Sequence, residues 1–246
     1  MKKESVEIQK EMSEAAASRT ATYCNLVIGK HGFWSILKYE LVMLFSSNVP
    51  GALGIWLRSR LYPTLLGSCG KNVFFGVNTV LRHPHKIHIG DNVVIDDNCL
   101  LDAKGRDNRG IDIGAGCFVG RNSILSCKNG DISLGDKVNI GFNCEVFSGS
   151  SVALGEKTLV AAYCYFVGGD HDTDDPDAPV TDQGRTSRGI RVGSNCWFGA
   201  GVKVLDGRSI GNDTTIGAGA VVSKDIPGNS VAVGVPAKVT RKRVQK

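Results

Sequence analysis

The 246 residues are 42% hydrophobic and 22% charged, with a net charge of +5, an ordinary balance for a globular chain large enough to bury a sizeable core. Thirty-one glycines against nine phenylalanines and three tryptophans point to many tight turns and few large core anchors. Lys and Arg do not cluster with aromatics, which argues against nucleic-acid binding, and the polar, acidic opening from Met1 to Thr22 does not read as a signal peptide, so a cytoplasmic protein is expected.

In chain order, residues 1–32 form a polar segment rich in Glu, Lys and Ala, expected to be mobile or loosely docked. From Phe33 the chain turns apolar. Trp34, Leu37, Leu41, Leu44 and Phe45 recur at helical spacing, Asn48-Val49-Pro50-Gly51 interrupts them, and Ile55, Trp56 and Leu61 beside Arg58 and Arg60 predict a second short helix. Leu41 to Leu57 carries no charge, yet it is shorter than the ~20 residues a membrane span requires. Residues 33–70 are therefore expected to cap the open end of a repeat domain. A peripheral membrane contact is the other use open to their Trp and Arg side chains.

From about 71 onward aliphatic residues recur every six positions. The triplets are Ile89, Ile95, Leu101; Ile113, Val119, Leu125; Leu134, Ile140, Val146; Leu154, Val160, Phe166; Val192, Phe198, Val204; and Ile210, Ile216, Val222. A period of six fits neither a helix of 3.6 nor a plain strand of two. It fits a short strand followed by a turn, three of which close one triangular coil, so the spacing predicts a parallel β-solenoid over residues 71–239. A polar insertion, Lys104 to Arg109, delays one triplet, and a long loop over 168–189 interrupts the fourth and fifth. That loop carries His171. Residues 240–246 read as a basic C-terminal tail.

No C-x-x-C pair occurs among the eight cysteines. Cys99, Cys117, Cys144, Cys164 and Cys196 fall four residues after a repeat aliphatic, where other coils place Ser123, Thr158, Val202 or Ala220. The position wants a small side chain, and reduced Cys packs as one.

Beside this reading stands a resemblance. Ile190-Arg191-Val192-Gly193-Ser194-Asn195-Cys196-Trp197-Phe198-Gly199 resembles the I-x-I-G-x-x-x-W-I-G step of the hexapeptide-repeat acyltransferases, and Ile216 to Pro227 with Gly234-Val235-Pro236-Ala237-Lys238-Val239 resembles their closing signature. Within that family the chain is most similar to the galactoside, maltose, xenobiotic and exopolysaccharide O-acetyltransferases. The resemblance implies an all-β fold, a left-handed parallel β-helix, assembled as a homotrimer with active sites between subunits and acetyl-CoA as co-substrate. It implies backbone contacts from Ala200 and Ala218 to the pantetheine arm, Ser223 and Lys224 near the nucleotide, and Lys238 or Arg241 at the phosphates.

Acyl transfer to a hydroxyl needs a base working near neutral pH, which suits His. His171 matches the family's catalytic histidine, and Asn143, in Phe142-Asn143-Cys144, matches an Asn of the galactoside and maltose enzymes that would orient the acceptor. Glu145, Asp170 and Asp172 are candidates to orient the imidazole or bind the acceptor. Asp170, Asp172, Asp174, Asp175 and Asp177 make the loop acidic, but EF-hand spacing is absent. His83, His85 and His88 sit together near the first coil, far along the chain from His171, and are read as surface or acceptor-contacting residues, with no metal expected. The expected function is O-acetylation of a sugar or glycan precursor; an antibiotic, amine or small-metabolite acceptor, or a non-catalytic or metal-dependent β-helix, are the alternatives.

Overall fold

Three sheets of seven, nine and seven strands, parallel but for the last strand of the second, run the length of a triangular prism in the computed structural model, which describes residues 18–243. Face 1 opens with Ser68–Cys69, face 2 with Phe74–Phe75 and face 3 with Val80–Arg82. The repeat thus begins a strand before the start expected near 71, and its first coil sets Cys69, Phe75 and Leu81 beneath Ile89, Ile95 and Leu101. All eighteen triplet residues point inward and none is more than 5% exposed. Each contributes about 1.5–3 kcal/mol by leaving water.

The six-residue step from face 1 to face 2 and from face 2 to face 3 holds in every complete coil, as from Leu154 to Val160 to Phe166. Whole coils do not keep eighteen residues. On face 1 the stacked pairs Cys69↔Ile89, Ile89↔Ile113, Leu134↔Ile113, Leu134↔Leu154, Leu154↔Val192 and Val192↔Ile210 are 20, 24, 21, 20, 38 and 18 residues apart. All the extra chain leaves at the corner between face 3 and face 1. The long loop is therefore the largest of several insertions on one edge rather than a solitary interruption.

Turns are closed by residues with positive φ, and Asn serves at 72, 78, 92, 98, 122 and 143 because its short polar side chain tolerates that region. Successive asparagines also bond along the edge, Asn78 Nδ2 donating to Asn98 Oδ1 at 3.1 Å. The small-residue position proves to be a second ladder. Cys99, Cys117, Cys144, Cys164 and Cys196 direct their thiols at the carbonyls of Gly120, Gly135, Ala161, Gly199 and Gly211 in the next coil, at 3.1–3.3 Å. Ser123 and Thr158 do the same with hydroxyls.

Helix α1 (Arg19–Tyr23), capped by Ser18, continues as a π-helical turn over Cys24–Ile28. It packs Cys24 and Ile28 with Tyr39, so residues 18–28 are docked where a loose segment was expected; the rest of that segment, 1–17, lies outside the described residues. Gly29 ends the turn at φ 73°, and a side chain there would meet the His83 and His85 rings at 2.7 Å. Helices α2 (Phe33–Ser46) and α3 (Gly51–Leu61) close the first coil. Buried Arg58 donates to the carbonyls of Phe75, Ser46 and Val49 at 2.7–2.9 Å, and Tyr39 and Tyr62 donate to Leu81 and Thr79.

The apolar spacing of α2 does not mark its buried face. Tyr39, Val42 and Ser46 point at the prism, whereas Trp34 is 77%, Leu44 72% and Phe45 59% exposed, joined on α3 by Leu53 and Trp56. At the other end, Lys238–Lys242 is a strand paired antiparallel with Ser230–Val233 at the end of face 2, so the tail expected from 240 begins inside a strand.

Candidate active site

The corner loops between faces 3 and 1 enclose a groove of about 1160 Å³. Alternation along face 3 sends Glu145, Phe147, Tyr165 and Val167 outward to form its floor, while Val146 and Phe166 point into the core. Asn25, Leu26 and Gly29 of the docked N-terminal segment line its near end together with His83 and His85.

His171 stands over this floor. The loop folds back on itself as a two-stranded ribbon, Asp170–His171 against Arg185–Thr186, with His171 opposite Arg185. Arg185 Nη2 lies 2.8 Å from His171 Nε2. A guanidinium has only donors, so in this contact Nε2 is the acceptor and its lone pair is held by Arg185. Arg185 was not anticipated: it belongs to no periodic pattern, and its partner lies fourteen residues away across the ribbon.

The acidic residues take loop-building roles. Asp170 Oδ1 accepts the His171 N–H, Asp172 Oδ1 accepts the Thr186 hydroxyl at 2.6 Å, and Asp175 Oδ1 accepts the Asp177 N–H. The second oxygen of Asp172 is buried without a partner among the described residues. Glu145 sits beside Tyr165 in the next coil, and burial, then Glu145, raises the Tyr165 phenol above its usual range. No group of His, Cys, Asp and Glu among the described residues is arranged to hold a metal ion.

The three clustered histidines divide. His88 is exposed and meets Ser68 Oγ at 2.9 Å. His83 is buried, stacks on His85 with ring centroids 6.1 Å apart, and meets the Asn25 carbonyl at 2.8 Å. Burial pushes the His85 imidazole down to about 4, helped by Lys30, His83 and Lys86, and burial lowers His83 as well. Of the two uses expected, a surface position does not hold for His83, which is buried and with His85 anchors the N-terminal segment; both line the groove that holds His171.

Asn143 does not reach this groove within one chain. It occupies the corner between faces 2 and 3, with φ 53°, in the column that also holds Asn78, Asn98 and Asn122. Its backbone position alone accounts for an Asn there. Ala200 and Ala218 stack on this same edge, where Gly219 N donates to the Ala200 carbonyl at 2.8 Å, and both are exposed. Ser223 and Lys224 lie at the face 3–face 1 corner of the last coil, the Ser223 carbonyl accepting from Arg208. Lys238 and Arg241 are exposed on the face 2 hairpin. The six positions expected at the cofactor are thus spread over two edges and a face of the prism.

Comparison with known proteins agrees with this architecture. The model described as "Hexapeptide repeat of succinyl-transferase" matches residues 68–103, 110–138 and 131–165, and "Bacterial transferase hexapeptide (six repeats)" matches 189–224. The probable acetyltransferase Rv3034c of Mycobacterium tuberculosis is 35% identical over 54% of this chain, which spans only 44% of that protein. The Escherichia coli protein WbbJ, assigned to lipopolysaccharide biosynthesis as an O-acetyl transferase, is 28% identical over 66% of this chain and 74% of its own length. A solved structure of AntD, an N-acyltransferase from Bacillus cereus in complex with dTDP and 3-hydroxybutyryl-CoA, superposes with a TM-score of 0.56 at 19% identity, covering 81% of this chain and 92% of that one. At that identity the superposition speaks for the fold alone.

Proposed function

Because the chain belongs to the hexapeptide-repeat transferases, we propose that it transfers an acetyl group from acetyl-CoA to a hydroxyl of a sugar or glycan precursor, with His171 as general base. The observation that carries the reading is the place of His171 in the groove, its Nε2 2.8 Å from Arg185 Nη2. The acceptor hydroxyl attacks the thioester carbonyl as Nε2 takes its proton. Collapse of the tetrahedral intermediate breaks the C–S bond, and the imidazolium returns the proton to the departing thiolate. Both substrates bind at once, so positioning supplies much of the rate. Lys86, Lys104, Lys128 and Arg185 outnumber Glu145 and Asp170 along the groove, which disfavours a protonated amine as acceptor.

The test is thiol release from acetyl-CoA over a panel of sugars and glycan precursors, alongside thermal stability with CoA. Binding confined to the native state raises the unfolding midpoint with ligand concentration. No shift at saturating CoA would remove the assignment.

Leu159 and Trp197, paired on the outside of face 2, are 45% and 50% exposed, and Phe142 and Tyr163 form an exposed aromatic pair on its edge, which supports a homotrimer of parallel prisms. Among the described residues no helix is long and apolar enough to cross a membrane. The outward stripes of α2 and α3, with Trp34, Phe45 and Trp56 flanked by Lys30, Lys38 and Arg60, suit an anionic lipid surface. Co-sedimentation with anionic phospholipid vesicles, lost in a Trp34→Glu/Phe45→Glu variant, supports this; no binding, or burial of the stripe by a second copy, refutes it.

A further inference from the structure

Five cations line the groove, Lys86, Lys104, Arg106, Lys128 and Arg185, against Glu145 and Asp170. Lys86 is committed to the fold, since its Nζ donates to the Gly105 and Arg106 carbonyls and to Asn108 Oδ1. Lys104 stands 4.0 Å from Asp102, at the outer limit of an ion pair. Lys128, part-buried beside the floor, has its ammonium lowered by burial and then by the nearby charges of Arg185 and Lys104. Arg185 keeps one buried nitrogen, Nε, without a partner among the described residues while Nη2 holds His171.

Three like charges held together at a part-buried wall repel one another, and a bound anion relieves that repulsion. The lone pair of His171 also cannot accept from Arg185 and take a proton at the same time. A carboxylate or phosphate is a better partner for a guanidinium than a neutral imidazole, being charged and able to accept two parallel bonds.

We propose that Arg185, Lys128 and Lys104 form a subsite for an anionic group, carboxylate or phosphate, carried by the acceptor, and that its arrival draws Arg185 away from His171 Nε2 and frees the base. The proposal rests on the acyl-transfer reading above. It makes the acceptor an acidic sugar or a phosphorylated glycan precursor, and it makes the base available only when that acceptor is in place. Arg185 is then a positioning residue that acts through His171. The phosphates of CoA share the same chemistry, so the test must separate the two sources.

The full-length protein, labelled with 15N-histidine, is titrated with inorganic phosphate against a chloride control of equal ionic strength, first alone and then saturated with CoA. Expected is a saturable change in the His171 ring nitrogen resonances, at the same phosphate concentration with and without CoA. In Lys128→Gln and Arg185→Gln the midpoint should rise at least tenfold. A response no different from chloride in both states overturns the subsite. A response abolished by CoA assigns the cluster to the cofactor and overturns the acceptor claim. CoA binding is followed by thermal shift in the same samples; its absence would fail the acyl-transfer reading and not the subsite. Should Arg185→Gln not fold, the Lys128→Gln titration and the wild-type pair decide.

Discussion

Arg58→Met should loosen the helical cap, both within itself and against the prism. The Arg58 side chain is 1% exposed and has no carboxylate partner among the described residues; its charge is held by three backbone carbonyls, of Phe75 on the first coil, of Ser46 at the end of α2 and of Val49 in the turn between the two cap helices. Methionine fills a similar volume but leaves those acceptors without a donor. Each buried acceptor left unsatisfied costs about 1–3 kcal/mol, and water entering the opened end offsets part of it, so a total near 3–5 kcal/mol is expected. For a chain of this size that corresponds to a fall in Tm of about 6–20 °C. Tryptophan fluorescence and circular dichroism should be followed together during heating. Trp34 and Trp56 report on the cap and Trp197 on a later coil, so fluorescence should change before the β signal does. A Tm within about 2 °C of wild type, with coincident transitions, would mean that the cap does not depend on Arg58.

His171→Ala should lower thiol release by about 10²–10⁴-fold, the usual worth of a general base. Because His171 is exposed, its stability should stay within about 0.5 kcal/mol of wild type; retention of most of the activity would remove His171 from the chemistry. Stability should also fall with acid through His85. The unfolded imidazole titrates near 6.5 and the folded one near 4, so between those values only the unfolded state gains the proton. The loss is at most about 1.4 kcal/mol per pH unit, absent above pH 6.5 and complete below 4. His85→Asn should flatten that window in urea titrations run from pH 4 to 7, and an unchanged slope would refute the assignment.

What could be read in advance follows from where the fold is constrained. Each face of the prism must send one aliphatic inward per coil, so Leu154, Val160 and Phe166 announce three strands and their order. Nothing holds the face 3–face 1 corner to a length, since its loops bury no periodic residue, and the eighteen-residue circuit is met only between Val192 and Ile210. The docking of residues 18–28 was invisible for another reason. It depends on His83, fifty-eight residues from Asn25, and on a glycine, Gly29, that must pass close to both histidine rings. Asn143 was picked out by its neighbours, yet the same residue type recurs in its column because the turn needs positive φ. The helical spacing of α2 announced the helix but not which side meets the prism, because apolar residues lie on both its buried and its exposed sides, Val42 on one and Trp34 and Leu44 on the other.

Whether Asn143 serves the chemistry turns on which chain it serves. Within one subunit it lies at one end of the face 3 strands and His171 beyond the other. The strand Glu145–Ser148 alone spans about 13 Å at ~3.3 Å per residue, too far for one substrate hydroxyl to meet both side chains. A joint role therefore requires Asn143 of one subunit to face His171 of the next. Asn143→Ala and His171→Ala should each be nearly inactive as pure proteins. Unfolded together and refolded into the proposed homotrimer, they would mix so that about a quarter of the interfaces pair an intact Asn143 with an intact His171. Thiol release should then return to about a quarter of the wild-type rate, while the two proteins mixed without unfolding stay inactive. No recovery after co-refolding, in samples shown by mass spectrometry to contain mixed oligomers, would confine Asn143 to its turn and leave the base and its arginine as the working parts of the site.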